Sequence, residues 1–194
     1  KHRSGARLGH DTTYDHMFLD GLEDAYEEGR AMGTFAQDTA NEYQLTREQM
    51  DEYSIESLRR AKDAIATGAF ADEIVAVTVA TRKGDVTVDT DEQPGKGLPD
   101  KIPTLKPAFA KDGTITAATS SSISDGAAAL VLARESVAAA KGQKPVARIV
   151  AHAAHAQEPA AFITAPVGAI QSLLKKAGWS IDDVDLFEIN EAFA

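Results

Sequence analysis

The sequence predicts an α/β protein, and three observations carry the prediction. Residues 32–67 hold two stretches of apolar residues at helical spacing, the second with a complete set of helix start and stop signals. Two β-branched runs, Ile74–Val79 and Val86–Val88, stand a turn's length apart. Residues 147–190 read strand–helix–strand, the unit from which parallel sheets are built. The first half is therefore mostly helical with one hairpin, the last part is βαβ, and the boundary falls near residues 105–124.

Residues 1–31 are polar and irregular, with two glycine-bounded segments. Met32–Tyr43 is an expected helix, since Met32, Ala36, Ala40 and Tyr43 recur at spacings of three and four. Thr46-Arg47-Glu48-Gln49 has the form of a capping box. Met50, Tyr53/Ser54, Leu58, Ala61 and Ile65 follow as an apolar stripe, and Gly68 suits the stop. Ile74–Val79 and Val86–Val88 flank Thr81–Asp85 as a hairpin. Residues 89–104 contain three prolines and two glycines without an apolar period. A long excursion of that kind is usually functional or used in assembly.

Asp112-Gly113 marks a turn, and Thr114–Ala117 a short strand. Ala129–Ala133 is a further strand, and Glu135–Lys141 a short helix ended by Gly142. Ala147–Ala156 is the first strand of the βαβ unit. Its helix starts with Pro166 in the first turn, presents Ile170, Leu173, Leu174 and Ala177 on one face, and stops at Gly178. Val184–Ile189 is the second strand.

Composition narrows the function. Hydrophobic residues make up 43% and charged residues 26%, as in ordinary soluble globular proteins. The net charge of −10 argues against a nucleic-acid partner. Lys1, Arg3 and Arg7, with His2 and His10, form either a solvated arm or a local phosphate patch. No apolar run reaches membrane-spanning length, and the start does not read as a signal peptide and lacks Met. No membrane partner is expected. Without cysteine the 194 residues contain no disulfide, thiolate ligand or cysteine nucleophile, and the composition suits the cytoplasm. No His-x-x-x-His pair has a Glu partner, so no metal is expected.

Three places could carry chemistry. Thr119–Ser122, before Ser124-Asp125-Gly126, offers hydroxyls and backbone N–H groups to a polar ligand, or else is a tight turn of small residues. No Gly-x-Ser-x-Gly elbow supports a serine nucleophile. Asn190-Glu191 ends an expected parallel strand, where open α/β sheets place functional groups. The Asn190 amide could serve a water or a developing oxyanion, or it could cap a following helix. His152 and His155 fall on opposite strand faces and read as surface or satisfied core residues rather than a catalytic pair.

These segments resemble the thiolase family, the acyl-CoA acetyltransferases. The similar stretches are MGTFAQDTANEYQLTREQMDEYSIESLRRA (32–61), FADEIVAV (70–77), RKGDVTVDTDE (82–92), LKPAFAKDGTITAATSSSISDGAAALVL (105–132) and TAPVGAIQSLLKKAGWSIDDVDLFEINEAFA (164–194). They cover nearly the whole chain in the family's order, and TSSSISDGAAA followed by NEAFA is a specific combination. The resemblance implies a partial thiolase fold: a helical and hairpin loop domain over 1–123, the end of an N-terminal core domain over 124–144, and the start of a C-terminal core domain over 145–194. The core sheets would be incomplete βαβ units.

The resemblance also implies a reaction, the Claisen condensation of two acetyl-CoA to acetoacetyl-CoA and CoA, or the reverse thiolysis of a 3-ketoacyl-CoA in fatty acid metabolism. Family members use a nucleophilic Cys, an activating His and a second Cys as acid and base. None can be placed here: the nucleophile is expected before Lys1, the other two after Ala194. The chain is thus expected to be an internal fragment, inactive by itself. Asn190 matches the family residue that holds an oxyanion-hole water. By the same similarity Phe193 and Phe162 lie near the acyl group, Ser121 contacts pantetheine, and Phe109 and Ala117 line its tunnel. Leu22 and Met32 match apolar contacts toward adenine and the tunnel mouth.

Coenzyme A thioester is then substrate, with no permanently bound cofactor. Ala31 stands where many biosynthetic members have His, and Pro94 where many have a basic residue near adenine, with Lys96 close by. RKGDVTVDTDE resembles the tetramer-forming loop of short-chain members, which implies a homotetramer and acetoacetyl-CoA chemistry. The alternative is a non-catalytic CoA-binding or oligomerisation module of the same origin.

Overall fold

The Thr46 side chain and the Gln49 side chain begin the longest helix reciprocally. Gln49 N donates to Thr46 Oγ1 at 3.2 Å, and Thr46 N to Gln49 Oε1 at 2.8 Å. In the computed structural model, which describes residues 8–194, this helix (α2) spans Arg47–Thr67 and follows α1, Met32–Glu42. Gly68 closes α2 in the left-handed region at φ 67°, a conformation that costs glycine no Cβ clash. The basic arm Lys1–Arg7 lies outside the described residues.

The expected hairpin forms with shifted ends. β1 is Val77–Thr81 and β2 is Gly84–Val88, antiparallel, with Val77 opposite Val88 and Val79 opposite Val86. The tight turn at Arg82-Lys83 sets that register. Residues 89–104 are more ordered than their composition suggests. They hold α3 (Gln93–Lys96) and a 3₁₀ turn at Pro99–Thr104, each with proline near its start. Further on come α4 (Glu135–Ala140), a 3₁₀ turn at Pro159–Thr164, and α5 (Ala165–Ala177), closed by Gly178 at φ 71°. Residues ahead of α1 add a π-helical turn at Phe18–Leu22.

The expected strands at 114–117, 129–133, 147–156 and 184–189 do not form; the hairpin is the one sheet among the described residues. Thr116 makes only an isolated bridge to Pro107. The other three segments carry strand-like composition without a neighbouring ladder. A parallel strand needs hydrogen-bonding neighbours and cover on both faces, and apolar content supplies neither. Their side chains are accordingly open: Val131 is 98% exposed and Leu186 85%. The sheets of the βαβ part are incomplete, as the sequence led us to expect, to the point of having no ladder.

The core lies between α1, α2 and residues 102–119. Ala36, Ala40, Met50 and Ile115 are buried together, with Phe109, Ile163, Phe193 and Ala194 packed against them. Polar groups stitch the same layer. The Gln37 side-chain oxygen accepts from Thr114 N at 2.9 Å and Ile115 N at 3.2 Å. Its amide nitrogen donates to Asn41 and Thr114. Arg47 bonds the Asp51 carboxylate at 2.8 and 2.9 Å, and its far nitrogen donates to the carbonyls of Ile102 and Leu105. One guanidinium thus ties α2 to the 3₁₀ turn. The apolar stripe foreseen on α2 is only partly real, since Met50 is buried but Tyr53 and Ile65 are exposed.

Arg47→Ala would leave the buried Asp51 carboxylate and two carbonyls without their donor. A loss of about 3 kcal/mol is expected, the low end for breaking a buried pair, because Arg47 itself is partly exposed. Equilibrium denaturation of the variant is the check, and an unchanged midpoint would refute the role of this pair.

Candidate functional site

The small residues at 116–121 build a turn from their own hydroxyls. Thr116 N donates to Thr119 Oγ1 at 2.8 Å, and the Ser120 hydroxyl donates to the Thr116 carbonyl at 2.8 Å. Thr116 and Thr119 are buried, so these bonds satisfy groups that water cannot reach. The turn then offers its next residues to the far end of the chain. Ser121 N donates to Ala192 O at 2.9 Å, and Ala194 N to Thr119 O at 2.8 Å. The two bonds make an antiparallel bridge between Ser120 and Phe193.

The turn itself is at Thr116–Thr119, and Ser121 and Ser122 beyond it line a cleft. After Asn190 the chain bends at Ala192 and enters the bridge at Phe193.

The cleft holds about 440 Å³ and lies along α2. Tyr53, Ser57 and Leu58 form one wall, Ser121 and Ser122 the other, and Glu191 joins them. A neighbouring cleft of about 400 Å³ shares Ser54, Leu58, Gln93 and Ala118 with it, and runs toward Lys96 and Lys101. A third, of about 440 Å³ and lined by Ile65, Phe70, Ile74 and Pro94, continues the groove past the end of α2. The chain at Gly97 approaches α2 closely: a Cβ there would lie 2.7 Å from the Leu58 methyl groups, which would have to shift. Lys62 Nζ also donates to Gly97 O at 2.8 Å.

The residues expected to serve the substrate are spread over several places. Ser121 lines the cleft. Phe109 and Phe193 meet edge to face with centroids 6.1 Å apart, and Phe109 presses on Gly33, next to Met32. A Cβ at Gly33 would stand 2.2 Å from that ring. Phe162 lies elsewhere, edge to face on Phe35 at 6.2 Å. Ala117 is exposed on the turn, Leu22 is exposed at the end of its π-helical turn, and Asn190 is exposed and does not line the cleft. The structure thus brings the segments of Ser121, Phe193 and Phe109 to one neighbourhood, and of the expected residues it is Ser121 that lines the cleft. His155 packs its ring over Gly168 of α5, in keeping with a packing histidine.

Sequence reasoning passed over Ser57, took Tyr53 for part of an apolar stripe, and marked Glu191 with Asn190 without giving it a partner. Tyr53 Oη donates to Glu191 Oε1 at 2.8 Å, and Ser57 Oγ to Glu191 Oε2 at 2.7 Å. The available signal was the i, i+4 spacing of two hydroxyls on one helix face. The Tyr53 phenol is held above its usual range, first by its hydrogen bond to Glu191, then by burial and by that carboxylate's charge, with Arg60 opposing. Among the described residues no three His, Asp or Glu side chains converge as a metal site, and no helix is long and apolar enough to cross a membrane.

Comparison with known proteins gives a consistent picture. Residues 1–136 match the family description "Thiolase, N-terminal domain", and residues 143–194 match "Thiolase, C-terminal domain". A probable acetyl-CoA acetyltransferase of Dictyostelium discoideum is 50% identical over 100% of this chain and 47% of its own length. The acetyl-CoA acetyltransferase of Rhizobium meliloti (strain 1021) is 47% identical over 99% of this chain and 49% of its own. The crystal structure of the Bacillus anthracis acetyl-CoA acetyltransferase superposes with a TM-score of 0.91 at 40% identity, covering 100% of this chain and 49% of that one. The chain therefore spans about half the length of the curated relatives it matches, and the partial fold expected from the sequence is the one found.

The raised Tyr53 phenol sets a pH expectation. A folded value above the free one means that the contact contributes fully below the ordinary phenol value of about 10. It is lost as pH rises through the higher folded value. Ultraviolet titration should show one of the four tyrosines ionising later than the rest, and Tyr53→Phe should remove that step. Four tyrosines titrating together would show that the contact is not made.

Proposed function

This chain belongs to the thiolase family, and from that premise we propose that it forms part of an acetyl-CoA acetyltransferase. The reaction is the condensation of two acetyl-CoA to acetoacetyl-CoA and CoA, or the reverse thiolysis of a 3-ketoacyl-CoA. The observation that carries the proposal is the bridge of 119–121 to 192–194. It sets a polar cleft suited to a flexible thioester arm beside the segment that bears Asn190 and Phe193.

Each group has a physical role in this reading. An extended pantetheine arm needs a long groove with polar groups to fix it, which the adjoining clefts along α2 supply. Ser121 contributes one such contact. The Phe109–Phe193 pair excludes water near the acyl end. The Asn190 amide, through a water, donates to the thioester oxygen as negative charge develops on it. Acyl transfer as the family performs it also uses a thiolate nucleophile, and these 194 residues include no cysteine. The proposal therefore puts the nucleophile, its His and the second Cys elsewhere in the protein, and the 194 residues alone without turnover. It divides the chain at 1–123, 124–144 and 145–194 into loop domain, end of the first core domain and start of the second.

The same absence of cysteine favours a second reading, a CoA-binding or oligomerisation module without catalysis. In the enzyme reading the protein acts in the cytoplasm, in fatty acid metabolism, which cell fractionation checks. The hairpin supports a tetramer. Val77, Val79, Val86 and Val88 share one face by strand alternation and are about half exposed, an apolar surface suited to a second copy.

Thiolysis of acetoacetyl-CoA, followed by its loss of absorbance, tests the enzyme reading. The product of the complete gene should turn over while the 194-residue chain does not. Asn190→Ala in that product should lower kcat by about 10²–10³. A complete product that binds CoA in a calorimetric titration yet never transfers acetyl would favour the second reading. For assembly, Val77→Asp with Val79→Asp should convert a tetramer to smaller species in light scattering, and an unaltered mass would remove the hairpin from the interface.

A further inference from the structure

Glu191 is held from two sides. Its carboxylate oxygens each accept a separate hydroxyl, Tyr53 at 2.8 Å and Ser57 at 2.7 Å, one turn apart on α2. The helix that supplies them is itself fixed near its start by the capping box and by Arg47 on Asp51, Ile102 and Leu105. On the other side, the residues just beyond Glu191 are bonded to the 119–121 turn, and Phe193 rests on Phe109.

We propose that Glu191 is a positioning residue for Asn190: its bidentate grip on Tyr53 and Ser57 sets where the Asn190 carboxamide points. The inference rests on the reading of Asn190 given above. The Asn190 Cα is one peptide, about 3.8 Å, from that of Glu191. Anchoring Glu191 to α2 and Ala192 to Ser121 leaves the intervening chain little rotational freedom, and Asn190 inherits that restriction. An oxyanion donor works only when it is aimed before charge develops, so a small loss of aim costs rate rather than substrate binding. Tyr53 and Glu191 are both exposed, so their hydrogen bond contributes little to global stability. A purely structural role and a positioning role therefore separate experimentally.

The test uses the protein expressed from its complete gene. Glu191→Ala should lower kcat about tenfold, a larger change than in KM for acetoacetyl-CoA, with the melting temperature little changed. Amide hydrogen exchange at Ser121 and Ala194 should quicken. Glu191→Gln keeps an oxygen for Tyr53 and can donate to the Ser57 oxygen, so it should recover most of the rate. Tyr53→Phe with Ser57→Ala should reproduce the loss, and should add nothing in the Glu191→Ala background. These conservative hydroxyl deletions report even where Glu191→Ala folds poorly. An unchanged kcat in both Glu191→Ala and the hydroxyl double variant overturns the proposal. So does a fall in kcat that tracks a fall in melting temperature and is not recovered by Gln. Asn190→Ala separates the two levels: if it lowers kcat while Glu191→Ala does not, the clamp alone fails; if it has no effect, the reading of Asn190 fails.

Discussion

Two main-chain hydrogen bonds, Ser121 to Ala192 and Ala194 to Thr119, join the middle of this chain to its far end. The polar wall of the candidate site depends on them. Without that bridge Phe193 would have no fixed approach to Phe109, Glu191 would not reach α2, and the cleft would lack a wall. The bridge in turn requires the turn at 116–119, whose buried threonines bond their own backbone so that the next residues run extended.

The second support is α2. It is a poor core helix by burial, with Met50 and Asp51 its only buried residues. It serves instead as a scaffold from which polar side chains reach outward. Arg47 holds the 3₁₀ turn, Lys62 holds Gly97, and Tyr53 and Ser57 hold Glu191. Hydrogen bonds are directional, so this arrangement orients loops more sharply than apolar contact would. The apolar contribution is concentrated where α1 meets 109–115, at Phe109, Ile115 and the bare face of Gly33.

How much was legible varied with the range of the interaction. The Thr46 box, the Gly68 and Gly178 stops, Pro166 in a first turn and the hairpin are set by residues within a few positions, and the structure has them all. The strands at 129–133, 147–156 and 184–189 depend on ladders with distant chain, and there composition overreached. In the site, Ser121 and Phe193 were marked by their motifs, and the structure sets their segments side by side. Tyr53 was hidden inside an expected apolar stripe and Ser57 lay unmarked beside it, because a hydroxyl's partner 134 or more residues away leaves no local periodicity.

By itself the sequence determined α1, α2, α4 and α5, the Thr46 box, the Gly68 and Gly178 stops, the hairpin and the motifs by which the chain is recognised as a member of the thiolase family, since each is written in neighbouring residues. Tertiary structure alone decided that Phe193 bridges to Ser120, that Glu191 is gripped by two hydroxyls of α2, and that Phe109 and Phe193 meet while Phe162 turns to Phe35. The physical reason is the same in each case. Propensity and capping act through local backbone geometry, whereas these contacts pair groups far apart in the chain, and their partners are chosen only when packing brings them within hydrogen-bonding or van der Waals reach.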